Sequence, residues 1–533
     1  MQETILEYWT SEWPESRVVP PLPTGEGVID QAAFHVIEVD ELFATVNYAQ
    51  TTIGQAVLYR SLARPSSDRE LIEAKQTALA ELQAKPALRQ ELERIVDHAA
   101  KDENALYQLL YGSFLGSLGT PRHRTEAEGY GYEAFRKSAR LFLTLVDQVT
   151  HATPPPESTY LQQLFDRLRH FATTRPYQLL RGPVYRTESA IYSKEERRGS
   201  WTPAIIFRPT LFKPLLILSL IVLAALVIYF YPAEMYGMKS SVRPLLSILS
   251  IPLILLYIPM VGTFDRDSVI YPLREQLKAD PEFRVALDTL GQLDELLALL
   301  RYAEHYGSAM CLPELRDGAH HSITLRQARN PILGHGHSEY VANDFDMARE
   351  RLVFITGPNS GGKTAFCKTV TQIQLLAQIG SFVPAEYAAL TIADRIFYQA
   401  PEISHLDDGE GRFGTELKRT RDIFLASTPH SLVVLDELSE GTTFEEKLAT
   451  SIDVLDGFRQ KGCSTILITH NHQLVDYFVE RGLGIPRQVE FADEQPTYRL
   501  IDGISRVSHA DRVAKKIGFS KEDIAHYLAG NTP

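Results

Sequence analysis

Eight residues, GPNSGGKT from Gly357 to Thr364, fit the pattern GxxxxGK[ST], which holds phosphate. Gly357, Gly361 and Gly362 let backbone N–H groups turn toward phosphate oxygens, and Pro358, Asn359 and Ser360 complete the loop. Lys363 is expected on the outer phosphates and the Thr364 hydroxyl on magnesium. Downstream, Asp436 and Glu437 end an apolar run: Asp436 suits the magnesium shell, and Glu437 can orient or deprotonate an attacking water. His470 closes another run, where an imidazole could sense the γ-phosphate or act as a structural cap. The set predicts Mg2+-dependent ATP hydrolysis, with Lys363, Glu437 and His470 as the catalytic candidates.

Such residues need a rigid frame. The loop follows LVFIT and precedes AFCKTVTQIQLLAQIG, the strand, loop, helix context that the motif requires. SLVVLDE and STILITH are likewise continuous apolar runs, as buried parallel strands are. From Arg351 onward such runs alternate with helices, which predicts an α/β domain. Upstream the texture is helical: in LIEAKQTALAELQAKPALRQELERIVDHAA, Leu71, Ala74, Ala78 and Leu82 recur every three or four positions. TPPPES (153–158) reads as a linker before the helical YLQQLFDRLRHFA, and EFRVALDTLGQLDELLALLRYAEHY is again helical.

Taken together, GPNSGGKT, SFVPAEYA, DELSEGTT (436–443) and ITH (468–470) resemble the ATPase domain of the MutS family of DNA mismatch-repair proteins. VDELFATVNYAQTTIGQAVLYRSLARPSSDRELIEAKQTALAEL resembles the first half of that family's helical core, and LDELLALLRYAEHYG its returning lever helix. ARNPIL with VANDFDM resembles the lead-in to the ATPase, and YRLIDGISRVSHADRVAKKIGF the closing segment. The resemblance implies an engine related to ABC ATPases: a homodimer with shared ATP sites, in which a signature loop of one subunit reaches the γ-phosphate of the other. The matching loop is DDGEGRFGTEL (407–417), where Gly411 stands in place of a phosphate-binding serine, so the backbone N–H groups of Gly411 and Arg412 would take over. Glu440 replaces a usual arginine. DNA is left open as a partner. About thirty residues precede the matching core, so the family's N-terminal mismatch-reading domain is not expected.

Two uncharged runs interrupt the helical part, 214–233 and 244–264, each roughly long enough as a helix to cross a bilayer. The basic approach through Lys194, Arg197, Arg198, Arg208 and Lys213 suits a cytoplasmic flank, whereas Lys239 and Arg243 in the connection do not suit the far side. The alternative is an apolar hairpin buried within a helical domain. The expectation is α plus α/β: a helical core interrupted by a transmembrane hairpin and followed by a P-loop ATPase domain, in a multi-pass inner-membrane protein with the ATPase in the cytoplasm. The parts are an arm over 1–33, core halves over 34–200 and 267–318, the hairpin within 201–266 and the ATPase domain over 319–533. Net charge is -13, from 54 Lys+Arg against 67 Asp+Glu, which excludes a polycation built to coat DNA. Three dispersed cysteines exclude a disulfide framework or a zinc cluster, and MQETILEYWTSEWPES lacks the basic and apolar regions of a cleaved export signal. Two competing readings are a transporter-like ATPase, for which two runs are few, and a nucleotide-binding scaffold, for which Glu437 would be superfluous.

Overall fold

A strand covered on both faces must be apolar throughout, and Leu352–Thr356, Leu432–Asp436 and Ser464–Ile468 are buried along nearly their whole length. In the computed structural model they lie in a six-stranded sheet ordered Ile396–Gln399, Leu432–Asp436, Ser464–Ile468, Leu352–Thr356, Ile485–Ala492, Gln495–Asp502. The first five run parallel and the last turns back antiparallel. Alternation along each strand divides the faces. Leu352, Phe354, Val433, Leu435 and Leu467 pack with Ile423, Leu455, Phe458, Leu474 and Phe478 from three helices. Val353, Ile355, Val434 and Ile466 are left for the opposite face, and all are buried. A four-stranded sheet, Glu314–Leu315, Tyr387–Leu390, Ile323–Ala328 and Asn343–Asp346, is also present among the described residues of this unit. The structure describes residues 22–23, 26–116, 129–187, 190–196, 205–213, 217, 257, 260–358, 361–401, 411–438, 444–492, 495–506 and 517–528. They fall into two units, this one (Val19–Tyr48, Leu58–Ala80 and Ala298–Pro533) and a helical one that includes Ala49–Val57 and Glu81–Leu297.

In the helical unit, Pro86–Tyr111 packs along Tyr132–His151. Phe142, Phe171 and Phe283 form a buried aromatic trio with centroids 4.9 to 6.3 Å apart. Short strands that the helical periodicity did not reveal are also present: Val184–Arg186 pairs with Ile191–Tyr192 and Ile205–Phe207, and Phe114–Gly116 pairs with Tyr130–Gly131. Segments of two or three residues are too short to display a period.

Two buried carboxylates meet the start of helix Thr52–Ala63. Asp294 accepts from the Thr51 N–H and hydroxyl, both at 2.7 Å, and from the Gln50 N–H at 3.0 Å. Glu103 accepts from the N–H groups of Thr52 and Ile53, both at 2.8 Å. The N–H groups of Thr51, Thr52 and Ile53 are donors that a helix start leaves without intrahelical partners. Burial pushes the Glu103 carboxyl up from 4.5 to about 7, against the lowering effect of those N–H groups, and Asp294 adds a smaller push. An acid raised in the folded state contributes stability that is complete below its unfolded value near 4.5 and is lost as pH rises through about 7. Between pH 5 and 8 the unit is therefore expected to lose on the order of 3 kcal/mol from this group. Denaturant midpoints at both pH values, compared with Glu103→Gln, isolate the effect. Parallel behaviour of the two proteins would rule it out.

The expected transmembrane hairpin, and the multi-pass inner-membrane location that rested on it, must be corrected. Among the described residues no helix is long and apolar enough to cross a membrane. Most of 214–233 and 244–264 lies outside the described residues, which include only Ile217, Tyr257 and 260–264 of the two runs. Part of what is described packs against protein, while Met260 and Phe264 are exposed. Tyr257 and Val261 are buried, the Tyr257 hydroxyl donates to the Leu211 carbonyl at 3.2 Å, and a Cβ on Gly116 would stand 3.3 Å from the Gly262 Cα. Immediately beyond, buried Asp265 lies 2.8 Å from the Lys213 ammonium and accepts from the Tyr132 hydroxyl at 2.7 Å. These polar partners, just outside the two runs, close on each other as in a protein interior.

Candidate functional site

Asp436 pairs with Ile468, and Ile468 with Ile355, so three parallel strands end level and the residues after them emerge at one edge of the sheet. In open parallel sheets this carboxyl edge is where ligands bind. Gly357 leaves its strand at φ +133°, and Gly362 caps helix Lys363–Gln378 at φ +80°, a left-handed conformation that a side chain would strain. Space is also short: a Cβ on Gly362 would stand 3.3 Å from the Tyr498 ring, and one on Gly361 3.2 Å from the Val489 Cβ. Pro358 and Gly361 are described, with the Gly361 N–H donating to the Pro358 carbonyl at 3.0 Å, while Asn359 and Ser360 lie outside the described residues.

Lys363 is buried and its ammonium donates to the Gly357 carbonyl at 2.6 Å, inside the loop. Burial holds this ammonium below its usual value, and the nearby Glu437 and Asp436 charges oppose that. The exposed Thr364 hydroxyl donates to Asp436 Oδ2 at 2.9 Å. A hydroxyl and a carboxylate are the hard oxygens that magnesium takes from protein when phosphates and water supply the rest, so the pair fits that ion. Glu437 has φ +64°, and its N–H donates to the Ile468 carbonyl at 3.0 Å. A left-handed non-glycine residue costs roughly 1–3 kcal/mol and tends to occur at functional sites. Its carboxylate has Oε1 3.7 Å from His470 Nε2 and Oε2 3.8 Å from Lys447 Nζ. The structure thus brings Lys363, Thr364, Asp436, Glu437 and His470 together. Gly411 and Arg412 open helix Gly411–Ala426, where N–H groups lack intrahelical partners. Residues 402–410 and 439–443, including Glu440, lie outside the described residues.

Sequence reasoning missed Lys447 and Tyr498. Tyr498 is half exposed at φ +60°, its carbonyl accepts from Asn343 Nδ2 at 3.0 Å, and its ring lies beside Gly362. An aromatic among polar neighbours gave no periodic signal.

The rear of the P-loop helix is held by side-chain amides. Buried Gln372 donates to the Ile37 carbonyl at 2.8 Å, Gln374 to that of Thr391 at 3.0 Å, and Gln378 to those of Ser66 and Ala393 at 2.9 Å. Asn330 Nδ2 donates to Thr369 and to Gln372, both at 3.0 Å. On the same helix the Lys368 ammonium lies 2.6 Å from Glu38, which opens helix Val39–Val46 at φ +63°.

Residues 353–526 match the family described as MutS domain V. The chain is 32% identical over 272 residues to the DNA mismatch repair protein MutS of Thermus aquaticus, covering 49% of this chain and 32% of that protein. It is 34% identical over 240 residues to the endonuclease MutS2 of Pediococcus pentosaceus, covering 44% and 30%. With the DNA mismatch repair protein msh3 of Aspergillus niger it shares 33% identity over 252 residues, covering 44% and 22%. The match thus spans about a third or less of these relatives' own lengths. The part of the chain that carries the P-loop at the carboxyl edge of its sheet thus matches MutS domain V and is similar to these MutS, MutS2 and msh3 proteins.

Proposed function

We propose that the chain is a Mg2+-dependent ATPase that works as a conformational switch of the MutS type. The observation that carries this reading is the 2.9 Å contact of the Thr364 hydroxyl with Asp436 directly beneath the P-loop, with Glu437 as the next residue. Lys363 and the loop N–H groups would bind the β- and γ-phosphates, and Thr364 and Asp436 would hold magnesium, which supplies charge neutralisation there. Glu437 orients the attacking water and takes its proton. The water oxygen bonds to the γ-phosphorus as the bond to the β,γ-bridging oxygen breaks, leaving ADP and phosphate. His470 hydrogen-bonds on the γ-phosphate side. Tyr498, exposed beside Gly362, offers a face on which the base stacks.

The purified chain should release phosphate from ATP with Mg2+ and stop on chelation. In the same preparation Tyr498→Ala should weaken ATP binding roughly tenfold, the effect of one lost stacking contact. No release under any Mg2+ concentration would remove the ATPase reading, and an unchanged affinity would remove the role of Tyr498. Two features support the rest of the reading. In helix Lys521–Leu528 no residue is buried, and Ile517, Phe519, Tyr527 and Leu528 are exposed, a face that suits a second copy and shared sites. The relatives named as DNA mismatch repair proteins support DNA as the partner. Sedimentation with and without ATP tests the first, since a monomer throughout would contradict it. Salt-titrated binding to duplex DNA tests the second, since no binding at low salt would contradict that.

A further inference from the structure

Glu437 stands between two nitrogen-bearing side chains that reach it from different elements. His470 follows strand Ser464–Ile468, with Nε2 3.7 Å from Oε1. Lys447 is the fourth residue of helix Phe444–Lys461, with Nζ 3.8 Å from Oε2. The contact is largely withdrawn from water, the Lys447 side chain being 22% exposed and that of Glu437 13%. Both separations exceed a direct hydrogen bond, so the coupling acts through charge and leaves room for an intervening water. A cation near a helix start opposes the macrodipole, and the acids of that turn, Glu445 and Glu446, are the residues that the helix itself favours there. The stability of the helix therefore does not explain a lysine at 447.

We propose that Lys447 is a positioning residue for hydrolysis: its ammonium fixes one oxygen of Glu437, so that the other is held toward the attacking water between Glu437 and His470. The inference rests on the water-orienting role of Glu437 proposed above.

The test uses the full chain as wild type, Lys447→Met, Lys447→Arg, Glu437→Gln and the double variant Glu437→Gln with Lys447→Met. Steady-state and single-turnover ATP hydrolysis are measured beside the affinity for a fluorescent ATP analogue. Lys447→Met should lower kcat roughly tenfold to a hundredfold with nucleotide affinity unchanged, since a misdirected carboxylate affects the transition state and not binding. Lys447→Arg, which keeps the charge, should recover most of the rate. In the Glu437→Gln background the Met substitution should add nothing, because it acts through the carboxylate. A Lys447→Met protein with wild-type kcat, or one that loses affinity and rate together, would overturn the inference. So would a Met effect that persists in the Glu437→Gln background. If Glu437→Gln itself turns over like wild type, the failure lies in the role given to Glu437. If Glu437→Gln is inactive while Lys447→Met is normal, the failure is confined to Lys447.

Discussion

Glu437→Gln is expected to bind ATP as the wild type does and to hydrolyse it roughly a hundredfold or more slowly, because the amide keeps the shape of the side chain but cannot take a proton from water. The contrast is Lys363→Ala. Its ammonium, buried inside the loop and bonded to the Gly357 carbonyl, is the charge that phosphate would meet. Loss of charge-assisted hydrogen bonds costs roughly 1.5–3 kcal/mol, so affinity should fall by about one to two orders of magnitude. Nucleotide titration separates the two variants, and single-turnover phosphate release completes the test. If both hydrolyse ATP at the wild-type rate, the site has been wrongly assigned.

The second large effect is on stability. Asp294→Ala removes the acceptor for the Gln50 N–H, the Thr51 N–H and the Thr51 hydroxyl at a fully buried position. Each buried donor left without a partner costs roughly 1–3 kcal/mol, so a total of about 3–5 kcal/mol is expected. Asp294→Asn keeps one oxygen and should cost less. Gly54→Ala should also destabilise, since a Cβ there would collide with the Asp294 carboxylate. Urea unfolding followed by circular dichroism reads all three. A loss below 1 kcal/mol for Asp294→Ala would show that water replaces the carboxylate at the helix start.

The parts of the fold that sequence exposed are those whose physics is local. LVFIT, SLVVLDE and STILITH are buried strands because each is dominated by apolar residues, and Gly357 and Gly362 adopt backbone angles that only glycine takes easily. What stayed hidden depends on contacts between distant positions. Tyr498 meets Gly362 across more than a hundred residues, and Lys447 reaches Glu437 from a helix whose own pattern gives no reason for it. Asp294 and Glu103 read as ordinary helix charges until the fold brings them to Thr51 and Thr52. The two apolar runs misled for the opposite reason. Hydropathy measures what a segment avoids and not what covers it, and at the described end of the second run Tyr257 and Val261 are covered by protein while Gly262 abuts Gly116.

The attachments behind the P-loop helix fall into two kinds with different sensitivities. Gln372, Gln374 and Gln378 reach the carbonyls of Ile37, Thr391, Ser66 and Ala393 through neutral amides that neither titrate nor attract counterions. Lys368 reaches Glu38 through an ion pair, with the Glu38 side chain 40% exposed to the surrounding electrolyte. Ionic strength can therefore loosen the hold on helix Val39–Val46 at Glu38 without touching the hold on Ser66, Thr391 and Ala393. One rod carries an adjustable joint beside fixed ones, and the composition of the medium sets how firmly Lys368 holds Glu38 at the start of helix Val39–Val46.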